Sequence, residues 1–323
     1  MSTYGKIKIA PDSRAELLRI ANLVGVAAED IEFIGTLSSE ALYDFRQLLI
    51  ELYFEENPAL KRFAKAANVL PSALIAKATV EAIGPILAAR IVGEVETKAA
   101  LGVLKRVPIE FACDVAIQTD PRRIEAMFTA SPTEISNAIA DELIRRKEYV
   151  AIGQLITFVI DEVMDHALAN ASDIDVLYSS FLVESKERLN HGVAMLSDDR
   201  IASIVQTAGN EKMWMEALDL VSHLEFEEFG RIVTQVMSLP AEILDELVEF
   251  IDTEDLWYVG VPAICLNDDP APGAAALLRA KPAVRKRFAA AAADPDYADD
   301  LRELLEKVDE PELVKLLSPL IAA

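Results

Sequence analysis

Two short segments carry the side chains best suited to chemistry. Glu162-Val-Met-Asp-His166 and Glu187-Arg-Leu-Asn-His191 each set a glutamate four residues before a histidine, and the pairs are 25 residues apart. Residues at that short spacing share one face of a helix. If helices at the longer offset stack in parallel, Glu162, His166, Glu187 and His191 form one ridge, with Asp165 beside it. Two carboxylates and two imidazoles are mixed oxygen and nitrogen donors of the kind zinc or a similar divalent ion accepts. The plainer reading is two independent helix-stabilising pairs on a glutamate-rich surface. His223, the third histidine, precedes Glu225 at the end of a helical pattern, where a cation meets the negative pole of the helix dipole.

Other chemistries lack their parts. There is no Gly-x-Ser-x-Gly elbow, and Gly84, Gly93 and Gly102 stand alone rather than in a phosphate-binding loop. Cys113 and Cys265 sit in apolar surroundings 152 residues apart and read as small reduced core residues. No catalytic and no cofactor-binding residue is assigned, and the chain is expected not to be an enzyme. Trp214, between Met213 and Met215, reads as core rather than as a recognition groove.

Charge narrows the partners. The 323 residues include 54 acidic and 31 basic ones, a net of −23. Nucleic-acid binding rests on Lys and Arg neutralising phosphates, so no nucleic-acid partner is expected. The most hydrophobic stretch, Val69–Gly93, is interrupted by Lys77, Glu81, Arg90 and two prolines, so it reads as a buried helical segment and not as a membrane span. The first residues lack a charged start leading into an apolar run, and a cytoplasmic location is expected.

These groups must be positioned by helices. Apolar residues make up 52% of the chain, Ala, Leu, Ile and Glu dominate the periodic stretches, and no sustained period-two alternation occurs. Pro85, Pro108 and Pro132, spaced 23 and 24 residues apart, each open a helical segment. A pitch of that size marks an array, because one unit cannot bury its apolar face without a stacked neighbour. The expected fold is all-α: a right-handed α-solenoid of short helices with a helical C-terminal extension. Residues 1–70 form an N-terminal helical cap, 71–268 the solenoid and 273–323 the extension, after a linker at Asn267–Gly273. In the cap, Leu17, Ile20, Leu23 and Val24 are expected on one face, and Leu42, Phe45, Leu49 and Leu52 on another. Nine acidic and no basic residues lie between Pro240 and Pro270, against five basic ones between Arg279 and Arg287, which predicts docking of the two stretches within the chain or between chains.

The segments Ile86-Leu-Ala-Ala-Arg-Ile-Val92, Ala99-Ala-Leu-Gly-Val-Leu-Lys-Arg-Val-Pro108 and Asp120-Pro-Arg-Arg-Ile124 share a habit: an aliphatic helix, a break at proline, and a new helix opened by an acidic residue. In this the stretch Leu70–Pro240 resembles the N-terminal cytoplasmic domain of MgtE-type magnesium transporters and the middle domains of the flagellar motor protein FliG. The resemblance implies a right-handed superhelix offering a surface to a partner. It does not imply transport, and no ligand residue carries over. The expected function is a non-catalytic helical-repeat interaction protein, its partner another protein or a second copy of the chain. The alternative is a regulator responsive to a divalent metal or a small ligand.

Overall fold

Short helices follow from how densely this chain is punctuated. The Ser38 hydroxyl accepts from the Ala41 amide, Ser172 and Asp175 form a reciprocal capping box, and Ser197 caps the Arg200 amide. Pro85 occupies the first turn of its helix, and Pro108 and Pro132 immediately precede theirs. The computed structural model describes residues 11–55, 58–265, 267, 269–308 and 310–321, and among these the fold is all-α with no strand.

The chain divides into two compact units, Met1–Arg188 and Leu189–Ala323. The boundary lies inside the helix Lys186–Met195, whereas composition suggests breaks near residue 70 and at 268–273. Composition marks where loops form, while units are separated by where packing thins.

In the first unit the helices are α1 (Pro11–Val24), α2 (Ser39–Tyr53), α3 (Pro58–Val69), α4 (Ser72–Ala78), α5 (Pro85–Val92) and α6 (Thr97–Leu104). They continue with α7 (Ile109–Gln118), α8 (Glu125–Ala130), α9 (Thr133–Arg146), α10 (Tyr149–Leu155), α11 (Asp161–Asn170) and α12 (Asp173–Phe181). From α3 onward one row of helices packs on next-but-one neighbours, α3 on α5, α5 on α7, α7 on α9 and α9 on α11, with α4 on α6 and α6 on α8 alongside. This two-row stacking is how short amphipathic helices cover one another's apolar faces.

The start of the unit differs from a wet terminal cap. Helix α1 is buried on every side from Ser13 to Ala21, including Arg14, Glu16 and Arg19. It packs on α2 and α10, and its Ala15, Leu17 and Leu18 share a core with Tyr149, Phe181 and Leu182. Leu17 and Ile20 are core as expected, but Val24 is exposed.

Two further expectations are corrected. In α2, Leu42 is fully buried but Phe45 and Leu52 face outward, because the buried stripe runs through Leu42 and Arg46. Arg46 is held inside by carboxylates, so the helix is rotated away from the register that apolar spacing suggests. The stretch Val69–Gly93, expected to be buried, exposes Val69, Leu70, Leu74, Val80, Ile86 and Leu87.

The second unit comprises α13 (Lys186–Met195, whose first turn precedes the boundary), α14 (Asp198–Glu211), α15 (Trp214–Ser222), α16 (Phe226–Met237) and α17 (Ala241–Thr253). Then come α18 (Trp257–Cys265), α19 (Ala271–Arg279), α20 (Pro282–Ala291), α21 (Ala298–Lys307) and α22 (Pro311–Ile321). Here too α14 packs on α16, α17 on α19, α18 on α20 and α20 on α22. The expected linker lies partly outside the described residues, and its end, Ala271–Gly273, is the first turn of α19. The predicted docking of acidic and basic stretches occurs within the chain. Arg279 pairs with Asp245 at 2.7 Å, Lys281 with Glu249 at 2.7 Å, and Arg287 grips Asp252, tying α19 and α20 to α17. Trp214 and Met213 are buried, as core residues. Among the described residues no helix is long and apolar enough to cross a membrane.

Candidate functional site

Three features of the first unit stand out: an outward apolar face, a buried ion network and an apolar cavity. The face is on α2, where Phe45, Leu48 and Leu52 are 41%, 63% and 69% exposed at three- and four-residue steps. Other segments of the first unit also expose apolar residues. Fifteen of the eighteen exposed large hydrophobic residues among those described fall between Val24 and Leu87. Monomeric proteins seldom leave such surface uncovered, and contiguous apolar patches mark interaction sites.

The network explains why α2 is rotated. Arg46 Nε donates to Glu16 at 2.8 Å, and its two terminal nitrogens donate to Glu184 at 3.1 and 3.2 Å. Arg19 donates to Glu16 at 2.6 Å and to the Leu182 carbonyl at 3.2 Å. Burial opposes the Arg46 charge, but its bonds to Glu16 and the charges of Glu184 and Glu16 outweigh that and raise its pKa. Beside the network lies a polar cavity of about 260 Å³, lined in part by Arg19, Arg46, Arg122, Gln118 and Gln154. The arginines that reach it are already engaged with carboxylates, so the arrangement is structural first.

The apolar cavity has a volume of about 540 Å³ and runs between the helix rows from α3 to α11. Its wall is aliphatic and aromatic, and the hydroxyls of Thr79, Ser131 and Ser136 are its few polar groups. Thr79 and Ile83 belong to a π-helical turn, Thr79–Ile83, that ends at Gly84 with φ of 76°. Turns of this wider kind are frequent at functional sites. Phe63, Leu70 and Leu74 line the cavity and are also 45–55% exposed, so α3 and α4 form its mouth.

The histidine ridge takes a different shape. His166 Nε2 lies 2.9 Å from an Asp141 oxygen on α9, the stacked neighbour of α11. Glu162 and Glu187 are exposed, and His191 is half-buried on α13. Among the described residues no group of three or more His, Cys, Asp or Glu side chains is gathered as a metal ion requires. The 25-residue offset does join stacked helices, but it joins Asp141 to His166.

Acid–base chemistry finds little purchase. Ser222 Oγ lies 3.3 Å from His223 Nδ1, yet that nitrogen also lies 2.8 Å from the Asp219 carbonyl. A carbonyl only accepts, so Nδ1 carries the proton and cannot take one from the serine. Burial pushes the thiols of Cys113 and Cys265 up to about 12, away from nucleophilic thiolate.

Comparison of the chain with family models, with curated proteins and with solved structures found no match.

Proposed function

We propose that this chain is a non-catalytic helical-repeat interaction protein that binds a partner protein through the outward face of α2. The observation that carries this reading is the exposed line Phe45, Leu48, Leu52 on a helix whose opposite side is locked by Arg46. A face held rigid on one side presents its other side with little ordering cost, as interaction surfaces require. The next-but-one stacking of α3 to α11 supports reading the first unit as a right-handed superhelical array of the MgtE-like kind. Two buried free cysteines support a reducing, cytoplasmic setting.

The test is affinity capture with the parent chain and with Leu48→Glu/Leu52→Glu, alongside light scattering. A protein enriched by the parent and lost with the variant supports the reading. A mass that falls from dimer to monomer in the variant makes the partner a second copy. Equal recoveries and equal masses remove it.

One observation favours a second reading, a regulator responsive to a small ligand: the apolar cavity between α3 and α11. At about 540 Å³ it falls within the 300–1,000 Å³ common for small-molecule sites.

A further inference from the structure

The chain is strongly acidic, but the cavity mouth is not. Between residues 58 and 108, helices α3 to α6, there are eight Lys and Arg against three Glu, in a protein whose net charge is −23. Along α3 and α4 the contrast is sharper: from Pro58 to Val80 there are four basic residues, Lys61, Arg62, Lys65 and Lys77, and no acidic one. Arg62, Lys65 and Lys77 are exposed. Arg62 lies one helical turn before the lining residue Ala66 on α3, and Lys77 follows the lining residue Leu74 by three positions on α4.

The shape of the interior is equally selective. Its lining extends along the row α3, α5, α7, α9, α11, from Phe63 to Ala167. Packed helix axes are about 8–10 Å apart, so the row spans roughly 32–40 Å. A volume of about 540 Å³ is spread thinly along it. That suits one extended hydrocarbon chain and is too narrow for an α-helix, about 10 Å across. The near absence of polar wall groups excludes an occupant with polar atoms along its length, because these would be desolvated without partners.

A thin apolar interior with a cationic rim is the complement of one class of molecule. We propose that the first unit binds a single-chain anionic amphiphile, such as a long-chain fatty acid, with its tail between the helix rows and its head group on Arg62 and Lys77. This deepens the small-ligand reading and rests on it. The tail supplies affinity through the methylenes it buries. The rim supplies selection for a negative head, and that part is screened by salt.

The experiment titrates the full chain with laurate and, separately, with 1-dodecanol, which has the same chain length and no charge. Both ligands are kept monomeric, and binding is read by calorimetry. The proposal expects saturable binding of one laurate, about tenfold tighter than 1-dodecanol at low salt and converging with it at high salt. Arg62→Glu/Lys77→Glu removes that difference and leaves 1-dodecanol binding unchanged. Ala116→Phe and Ala140→Phe, which fill the interior from α7 and α9, each weaken both ligands at least about tenfold while the helical circular dichroism is retained. If one of these variants loses its helical signal, the other carries the test. Equal binding of laurate and 1-dodecanol overturns the anionic class and leaves the small-ligand reading in place. Binding of neither overturns both. Sedimentation with anionic vesicles that the two filling variants do not weaken, without binding of monomeric laurate, overturns the proposal in favour of a membrane-surface contact.

Discussion

Arg287 holds Asp252 with two N–H groups of one guanidinium, Nε at 2.6 Å and a terminal nitrogen beside it, across 35 residues of chain. The pair joins α20 to α17, in line with Arg279–Asp245 and Lys281–Glu249. Hydrogen bonding from Arg287 holds the Asp252 carboxyl below its ordinary pKa. A lowered folded-state pKa contributes stability above the unfolded value, near 3.9, and loses it as pH falls through the folded value. Asp252→Asn is therefore expected to lower the melting temperature of the second unit at pH 7. The gap should close as pH drops below about 4. Thermal melts of both proteins across pH 2–7 check this, and a gap that persists in acid refutes it.

Removing one member of the buried network should cost more than replacing the network. Arg46→Ala leaves Glu16 and Glu184 with Arg19 as their one remaining cation in the network. Breaking a buried pair by deleting one partner typically costs about 3–5 kcal/mol. Arg46→Met/Glu16→Gln is expected to cost less than Arg46→Ala alone, since Glu16 is then neutral and Glu184, the remaining carboxylate, keeps Arg19 at 3.8 Å. Chemical denaturation of the variants measures the order.

Two glycines in helices should respond oppositely to alanine. A Cβ on Gly153 of α10 would lie 2.2 Å from the Leu182 carbonyl oxygen, the same oxygen that Arg19 reaches. The close approach is backbone to backbone and cannot relax by a rotamer change, so Gly153→Ala should destabilise by about 1–3 kcal/mol or more. Gly230 of α16 has nothing within 4 Å of that position. Gly230→Ala should stabilise by up to about 1 kcal/mol through helix propensity. Urea midpoints separate the two.

Both thiols should be silent in the folded protein. Cys113 and Cys265 are buried and free, and burial raises each to about 12. A thiol reagent at pH 8 is expected to label neither in the native state and both in denaturant. Fast native labelling at either site would show that its helix opens.

Local chemistry made the helices legible in advance: Ser38, Ser172, Pro85 and Pro108 announce helix starts whatever the tertiary setting. The α17–α20 contact was legible for a related reason, since nine acidic residues without a base, followed by five bases, can neutralise each other in few ways. The orientation of α2 was not. Its apolar positions Phe45 and Leu52 point outward because a charged residue, Arg46, has partners 30 and 138 residues away. No local window contains Glu16, Arg46 and Glu184 together. The cavity was hidden for a different reason: a residue facing empty space, such as Ala116 or Val103, has the same type as one facing a packed core. The histidine offset pointed to the right spacing but not to the partner, because Asp141 is one of many acids in the chain.

The burial of α1 bears on how the protein is made. Arg19 donates to a carbonyl 163 residues downstream, and Leu17 and Leu18 find Tyr149, Phe181 and Leu182 only at the far end of the first unit. At ribosomal speeds of about 5–20 residues per second, α1 waits on the order of 10–30 s for those residues to emerge. During that interval α1 has α2 to pack on, but Arg19 and the apolar groups that meet α10 and α12 lack their native surroundings. Open repeat arrays avoid such a delay, since each unit rests on the one just made. This unit instead closes last where it began, so a nascent or truncated chain ending before Leu182 would be a client for chaperones rather than a shorter array.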